Sequence, residues 1–155
     1  MVADHQGGKH QGRMSGAAVA VEPLNYIAPA DLFGRNLPLS PAVRVGRLVF
    51  VSGIPPFGEC GAIAIGGFPA QMRQVMENVT QVLRAAGADW DRVVKTNVLL
   101  TRHQDFAEMN RIYSGYFQEG RYPARTTAIV ASLPHRDFLI EIDCQAVLDE
   151  GAFGR

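Results

Sequence analysis

Two charged residues near the C-terminal end stand where packing alone does not ask for a charge. Arg125 follows Pro123-Ala124 and leads into Thr126 to Ala131, a run of β-branched and small residues. Glu141 sits between two isoleucines in a second run, Phe138 to Val147. There Ile140, Ile142, Cys144 and Ala146 alternate with Leu139, Glu141, Asp143 and Gln145, the period of a strand. The polar segment Leu133-Pro134-His135-Arg136-Asp137 separates the runs, which read as two strands joined by a short turn. A guanidinium at a strand end is a planar fork that matches a carboxylate. A carboxylate on an adjacent strand can orient a water or carry a proton. The plain alternatives are a surface salt bridge for Arg125 and a solvated strand face for Glu141.

The elements that must position these residues are legible upstream. Ala42-Val43 and Val45 lead through Gly46-Arg47 to Leu48-Val49-Phe50-Val51, a hairpin pattern in which Gly46 supplies the turn's backbone angles. Ile54 to Gly67 is a Gly- and Pro-rich loop without the spacing of a phosphate-binding loop. Ala70 to Ala86 predicts a helix, with Met72, Val75, Met76, Val79, Val82, Leu83 and Ala86 on one stripe and Gly87 as its stop. Arg92 to Thr101 predicts a strand. Asp105 to Phe117 predicts a second helix, with Asp105 and Glu108 as a capping pair and Phe106, Met109, Tyr113, Tyr116 and Phe117 as its buried stripe. Asn110 borders that stripe and needs a hydrogen-bond partner if covered. Residues 23–38 carry Leu24, Tyr26, Ile27 and Phe33, enough for a loop or short strand that docks on the domain.

The order β-β-α-β-α-β-β suits one two-layer α+β domain over residues 23–150, with two helices on one face of a mixed sheet. Val49, Val51, Ile129 and Ile142 argue that the other face is covered as well, by symmetric association. Residues 1–22 are polar and aperiodic and read as a disordered tail. The chain has 155 residues and fifteen basic against fifteen acidic side chains, so no basic field favours nucleic acid or a membrane surface. No apolar run is long enough to span a bilayer, and no signal-peptide pattern opens the chain. Cys60 and Cys144 read as reduced thiols of a cytoplasmic protein. The four histidines, His5 and His10 of the tail among them, and the two cysteines show no metal-ligand spacing.

Pro123-Ala124-Arg125-Thr126, Leu133-Pro134 and Ile140-Glu141-Ile142, in this order and spacing, resemble the end of the RidA/YjgF family of enamine and imine deaminases. The resemblance extends upstream through Pro38 to Val43, Phe50-Val51-Ser52-Gly53, Glu77-Asn78-Val79, Val93 to Val98 and Asp105 to Asn110. It implies a chorismate-mutase-like fold and a homotrimer with a site in each cleft between subunits. It also implies that Arg125 holds a substrate carboxylate and that Glu141 orients water. Ser52 and Gly53 match the family's cleft Ser-Gly pair, and Asn110 its helix asparagine. Thr127 stands where a cysteine is frequent, and Leu39 where the family has a cleft tyrosine, so the pocket exchanges a hydroxyl for an apolar wall. The turn before Ile140 is one residue longer than is common, and Arg-Thr-Thr with Leu-Pro-His resembles the aminomuconate-deaminase branch.

The implied reaction is hydrolysis of a 2-aminoacrylate-type enamine or imine to a 2-oxo acid and ammonia, with no metal or organic cofactor. Backbone groups at Gly53 and Thr127 would hold the nitrogen. Two other classes stand beside it. One is a non-catalytic trimer that merely binds small carboxylates. The other is RNA cleavage or chaperone-like holding, both linked to the family, although zero net charge gives RNA no basic stripe.

Overall fold

A computed structural model describes residues 21–29, 37–58 and 61–149. Most of the expected tail, with His5 and His10, lies outside them, as do Phe33 and Cys60. Strands β1 (Leu24–Ile27), β2 (Ala42–Val45) and β3 (Leu48–Ile54) precede helix α1 (Gly67–Ala85). Strand β4 (Val93–Leu100), helix α2 (Phe106–Ser114) and strands β5 (Ala124–Ile129) and β6 (Ile140–Val147) complete the domain. The six strands form one sheet in the order β1-β2-β3-β6-β4-β5. All neighbours are antiparallel except β4 and β5. Both helices lie on one face.

The α1 stripe is buried as its period requires: Met72, Val75, Met76, Val79, Val82 and Leu83 are fully covered, and Ala86 nearly so. Each large side chain of that stripe contributes ~1.5–3 kcal/mol on burial. Gly87, at φ 85°, ends the helix. Its N–H donates to Arg84 O at 3.0 Å and the Ala88 N–H to Leu83 O at 2.8 Å, so two otherwise orphaned carbonyls are satisfied. Against α1 lie Val49, Val51, Ile140, Ile142, Cys144 and Ala146, the inward sets of β3 and β6.

Four expectations change. First, β5 and β6 do not pair; β4 lies between them. The parallel β4–β5 ladder is reached through α2, a crossover that a parallel pair demands. Second, Val49, Val51 and Ile142 are on the helix-covered face, and Ile129 shares that face through its partner Leu100. The apolar residues left open on the opposite face are instead Leu24, Tyr26, Leu48 and Phe50, aligned across β1, β2 and β3. Third, Asp105 makes no cap bond. Its carboxylate accepts from Arg102 Nε and Nη2 at 2.7 and 2.9 Å, while Glu108 pairs with Arg111. A nearby arginine outcompetes the helix's own N–H groups for each carboxylate. Fourth, Phe106, at the first turn of α2, is 41% exposed. In the 23–38 segment β1 forms, and among its described residues only Ile27 packs on the core.

Candidate active site

Glu141 lies on the face of the sheet away from the helices, paired with Leu99 of β4. On the neighbouring strand β3, two residues, Ser52 and Gly53, oppose the single Asp143 between the pairs Val51–Cys144 and Ile54–Ile142. This bulge bends β3 and aims Ser52-Gly53 at Glu141. Gly53 has no positive φ, so its backbone does not require glycine. Space does: a Cβ there would overlap Glu141 Oε1 and stand 3.0 Å from its Cδ. The carboxylate is thus seated in the hollow that the missing side chain leaves. Burial, helped by the negative Asp143, raises the Glu141 pKa above the ordinary carboxylate value. A proton carrier working near neutrality needs that direction of shift.

Around Glu141 a cavity of about 500 Å³ opens, lined also by Leu37, Leu39, Phe57, His135 and Phe138. The Ser52 hydroxyl donates to Ser40 O at 2.6 Å, and the Ser52 N–H to Pro41 O at 2.9 Å. Both bonds fix the Leu39 segment against β3, and toward a ligand the serine oxygen offers its lone pairs. Two side chains of α1 hold the other walls. Asn78 Nδ2 donates to Pro55 O and Phe57 O at 3.0 and 2.8 Å. Gln71 Nε2 donates to Asp137 O at 2.9 Å, and its Oε1 accepts from Leu139 N at 2.8 Å. Both are 5% exposed or less, so these bonds answer an obligation of burial as well as tying two loops to one helix. Sequence reasoning missed both roles. The available signal was a polar residue adjacent to the stripe, Gln71 before Met72 and Asn78 before Val79.

Arg125 lies elsewhere. Its ladder partner is Thr96, which is fully buried on the helix side, so Arg125 shares that face while Glu141 points to the other. The guanidinium rests over the Tyr113 ring, 4.9 Å from the centroid. Nη2 donates to Asn110 Oδ1 at 2.7 Å, and Nη1 approaches Met109 Sδ at 3.7 Å. The Tyr113 hydroxyl is 2.8 Å from Thr96 Oγ1, and burial raises its pKa. Helix α2 therefore presents a ring, an amide and a thioether that hold the fork on edge strand β5. Asn110 finds the partner it needs, and that partner is the arginine. This second hollow, about 430 Å³, is lined also by Ser114, Tyr122 and Pro123. Thr127 follows two residues along the same face of β5, opposite Val98.

The sequence-predicted residues thus fall into two groups on opposite faces of one chain: Leu39, Ser52, Gly53 and Glu141, and Arg125, Asn110 and Thr127. Among the described residues no group of three or more His, Cys, Asp and Glu side chains converges on one point. Cys144, inside the core, has its thiol pKa pushed up to about 12 by burial first and Asp143 second. No helix among the described residues is long and apolar enough to cross a membrane.

Residues 34–148 match the family model described as endoribonuclease L-PSP. The chain belongs to the RidA/YjgF family. A RutC family protein of Pyrococcus abyssi is 44% identical over 110 residues, which is 70% of this chain and 85% of that protein. The mouse 2-iminobutanoate/2-iminopropanoate deaminase is 42% identical over 113 residues, 71% of this chain and 81% of that enzyme. Among solved structures of the RidA/YjgF family, RidA from an Antarctic Psychrobacter superposes with a TM-score of 0.74 at 35% identity, covering 80% of this chain and 99% of that one. Escherichia coli TdcF with bound serine gives 0.73 at 33% identity, with 81% and 99% covered. The chorismate-mutase-like fold expected of the family, two helices on a mixed sheet, is the fold of this chain.

Proposed function

We propose that the protein hydrolyses small 2-imino and 2-enamino acids to 2-oxo acids and ammonia, in clefts that two copies of the chain build together in a homotrimer. The observation that carries this reading is the seat of Glu141: a carboxylate with a raised pKa, set in the hollow at Gly53 and opening on a ligand-sized cavity. The deaminase named in mouse and the bound serine in TdcF support a small substrate that carries a carboxylate.

The chemistry follows from the two groups. An enamine takes a proton from solvent at its β-carbon and becomes the iminium ion. Glu141 takes a proton from water as the oxygen bonds to the imine carbon, and the C=N pair moves to nitrogen. That proton then passes to the amine, the C–N bond breaks, and the hydroxyl gives its proton back to Glu141 as the carbonyl forms and ammonia leaves. Such substrates hydrolyse unaided, so orientation supplies most of what the site must add. Arg125 holds the carboxylate through parallel charge-assisted hydrogen bonds, with Asn110 and Tyr113 fixing its plane.

Arg125 and Glu141 lie on opposite faces of the chain, so the clamp of one copy serves the base of the next. The open apolar group of Leu24, Tyr26, Leu48 and Phe50 lies on the Glu141 face and suits burial by a second copy. Subunit mixing tests the arrangement. Arg125→Ala and Glu141→Gln are each expected to be inactive. Unfolded together and refolded as mixed trimers, they should regain roughly a quarter of wild-type activity, since each mixed ring restores one cleft of its three. Sedimentation at the mass of one chain, or mixtures that stay inactive, would refute the shared cleft. A wild type that hydrolyses no imine above the spontaneous rate, yet binds 2-oxo acids through Arg125, would identify a carboxylate-binding protein instead.

A further inference from the structure

The cavity beside Glu141 has two unlike ends. Its polar end is short: Ser52, Gly53 and Glu141. The rest of its wall is leucine, proline and phenylalanine, with the His135 imidazole among them. Phe57 and Phe138 meet edge to face, with centroids 5.1 Å apart, and His135 lies tilted against Phe138 at 5.2 Å. Both phenylalanines are buried, 7% and 4% exposed, in a small satellite core with Leu133. This wall is therefore held from behind, and Asn78 and Gln71 pin the loops that carry it. Leu37 and Leu39 are 49% and 48% exposed and line the same space. His135 Nδ1 accepts the Asp137 N–H at 3.2 Å, so that nitrogen is engaged within its own loop.

A three-carbon imino acid ends in a methyl or methylene group. Bound with its reacting carbon at Glu141, it leaves this largely apolar end unfilled. We infer that the side chain of the imino acid taken by this site is a branched or aromatic hydrocarbon, seated between Leu39 and the Phe57–Phe138 pair. The inference rests on the imine-hydrolysis reading for the reaction and goes beyond it in naming the substrate class. Leu39 sets the preference, because it is the half-exposed part of a lining whose phenylalanines are fixed.

The test has a binding arm and a turnover arm on the full chain. Calorimetry compares pyruvate, 4-methyl-2-oxopentanoate and phenylpyruvate. At ~0.8 kcal/mol for each buried CH₂, an isobutyl group should bind roughly 10- to 60-fold more tightly than a methyl group. In the turnover arm, imines are generated in place from alanine, leucine and phenylalanine by an amino acid oxidase, and kcat/KM should rank them in the same sense. Leu39→Ser, at a half-exposed position where folding is not at stake, should shrink the preference by ~10-fold or more. Equal binding of all three 2-oxo acids, or a ranking that Leu39→Ser leaves intact, overturns the inference. Hydrolysis of every imine at one rate overturns it too, while leaving the reaction in place. Ranked binding without turnover keeps the side-chain assignment and removes the reaction.

Discussion

Gly53→Ala isolates the seat of Glu141 from everything else in the chain. The backbone at Gly53 suits any residue, so alanine adds no conformational strain. It adds one methyl group, 3.0 Å from Glu141 Cδ and 3.4 Å from Cγ. Ordinary carbon contacts are ~3.5–4.0 Å, so the carboxylate must withdraw by ~0.5–1 Å. The displaced atoms are the far end of a flexible side chain, which keeps the cost in stability near the low end of overpacking, ~1 kcal/mol. That corresponds to a fall in Tm of ~2–4 °C. Catalysis is less forgiving, because a misplacement of this size costs ~10²-fold in rate. Steady-state kinetics on an imine should therefore show kcat reduced ~100-fold, with KM nearly unchanged because Arg125 is untouched. The shorter acid relieves the overlap, so Gly53→Ala combined with Glu141→Asp should be better than the product of the two single effects. A Gly53→Ala enzyme within ~3-fold of wild-type kcat would show that Glu141 does not work from this hollow.

Three further outcomes follow from the geometry. Glu141 has a raised folded pKa, so the stability linked to it is fully present below its unfolded pKa and is lost as pH rises through the folded value. Glu141→Gln should accordingly raise Tm at pH 7 and leave it unchanged near pH 4, while Asp143→Asn should move the acid limb of the wild-type kcat/KM profile to lower pH. Tyr113→Leu removes the ring beneath Arg125 and should raise KM ~3- to 30-fold, whereas Tyr113→Phe keeps the ring and should lower Tm with KM preserved. Asn78→Ala frees two carbonyls of the Pro55–Phe57 loop and should cost about 1–3 kcal/mol in denaturant unfolding, with weaker binding of 2-oxo acids.

Where the determinants are local, the sequence is readable. The α1 stripe, its stop at Gly87 and the alternation along β6 need only a helical or strand period. The chemical types of the two proposed site residues are plain from the sequence as well, a fork at Arg125 and a carboxylate at Glu141. Their relative placement is not. It depends on which strands are neighbours and on the parity of each ladder, and both are set by pairings far apart in the chain. A turn between two strand-like runs suggests a hairpin, yet β4 occupies the place between β5 and β6 because the α2 crossover returns β5 parallel to it. Periodicity likewise cannot distinguish a half-wet flank from a buried one. Gln71 and Asn78 are polar and adjoin the stripe, and only the loops crossing α1 make them interior.

The placement of Arg125 and Glu141 on opposite faces has a consequence for the solution behaviour of the protein under the proposed function. In the proposed shared cleft, a ligand gripped at one end by Arg125 and at the other by Glu141 would bridge two copies, and part of its binding free energy would be spent on holding them together. By linkage the converse holds: association would raise the affinity for ligand by the same factor by which ligand tightens association. Dilution should therefore lower the activity per chain, and a saturating 2-oxo acid should push the concentration at which that loss begins downward. In such a protein, abundance in the cell is itself a control on function.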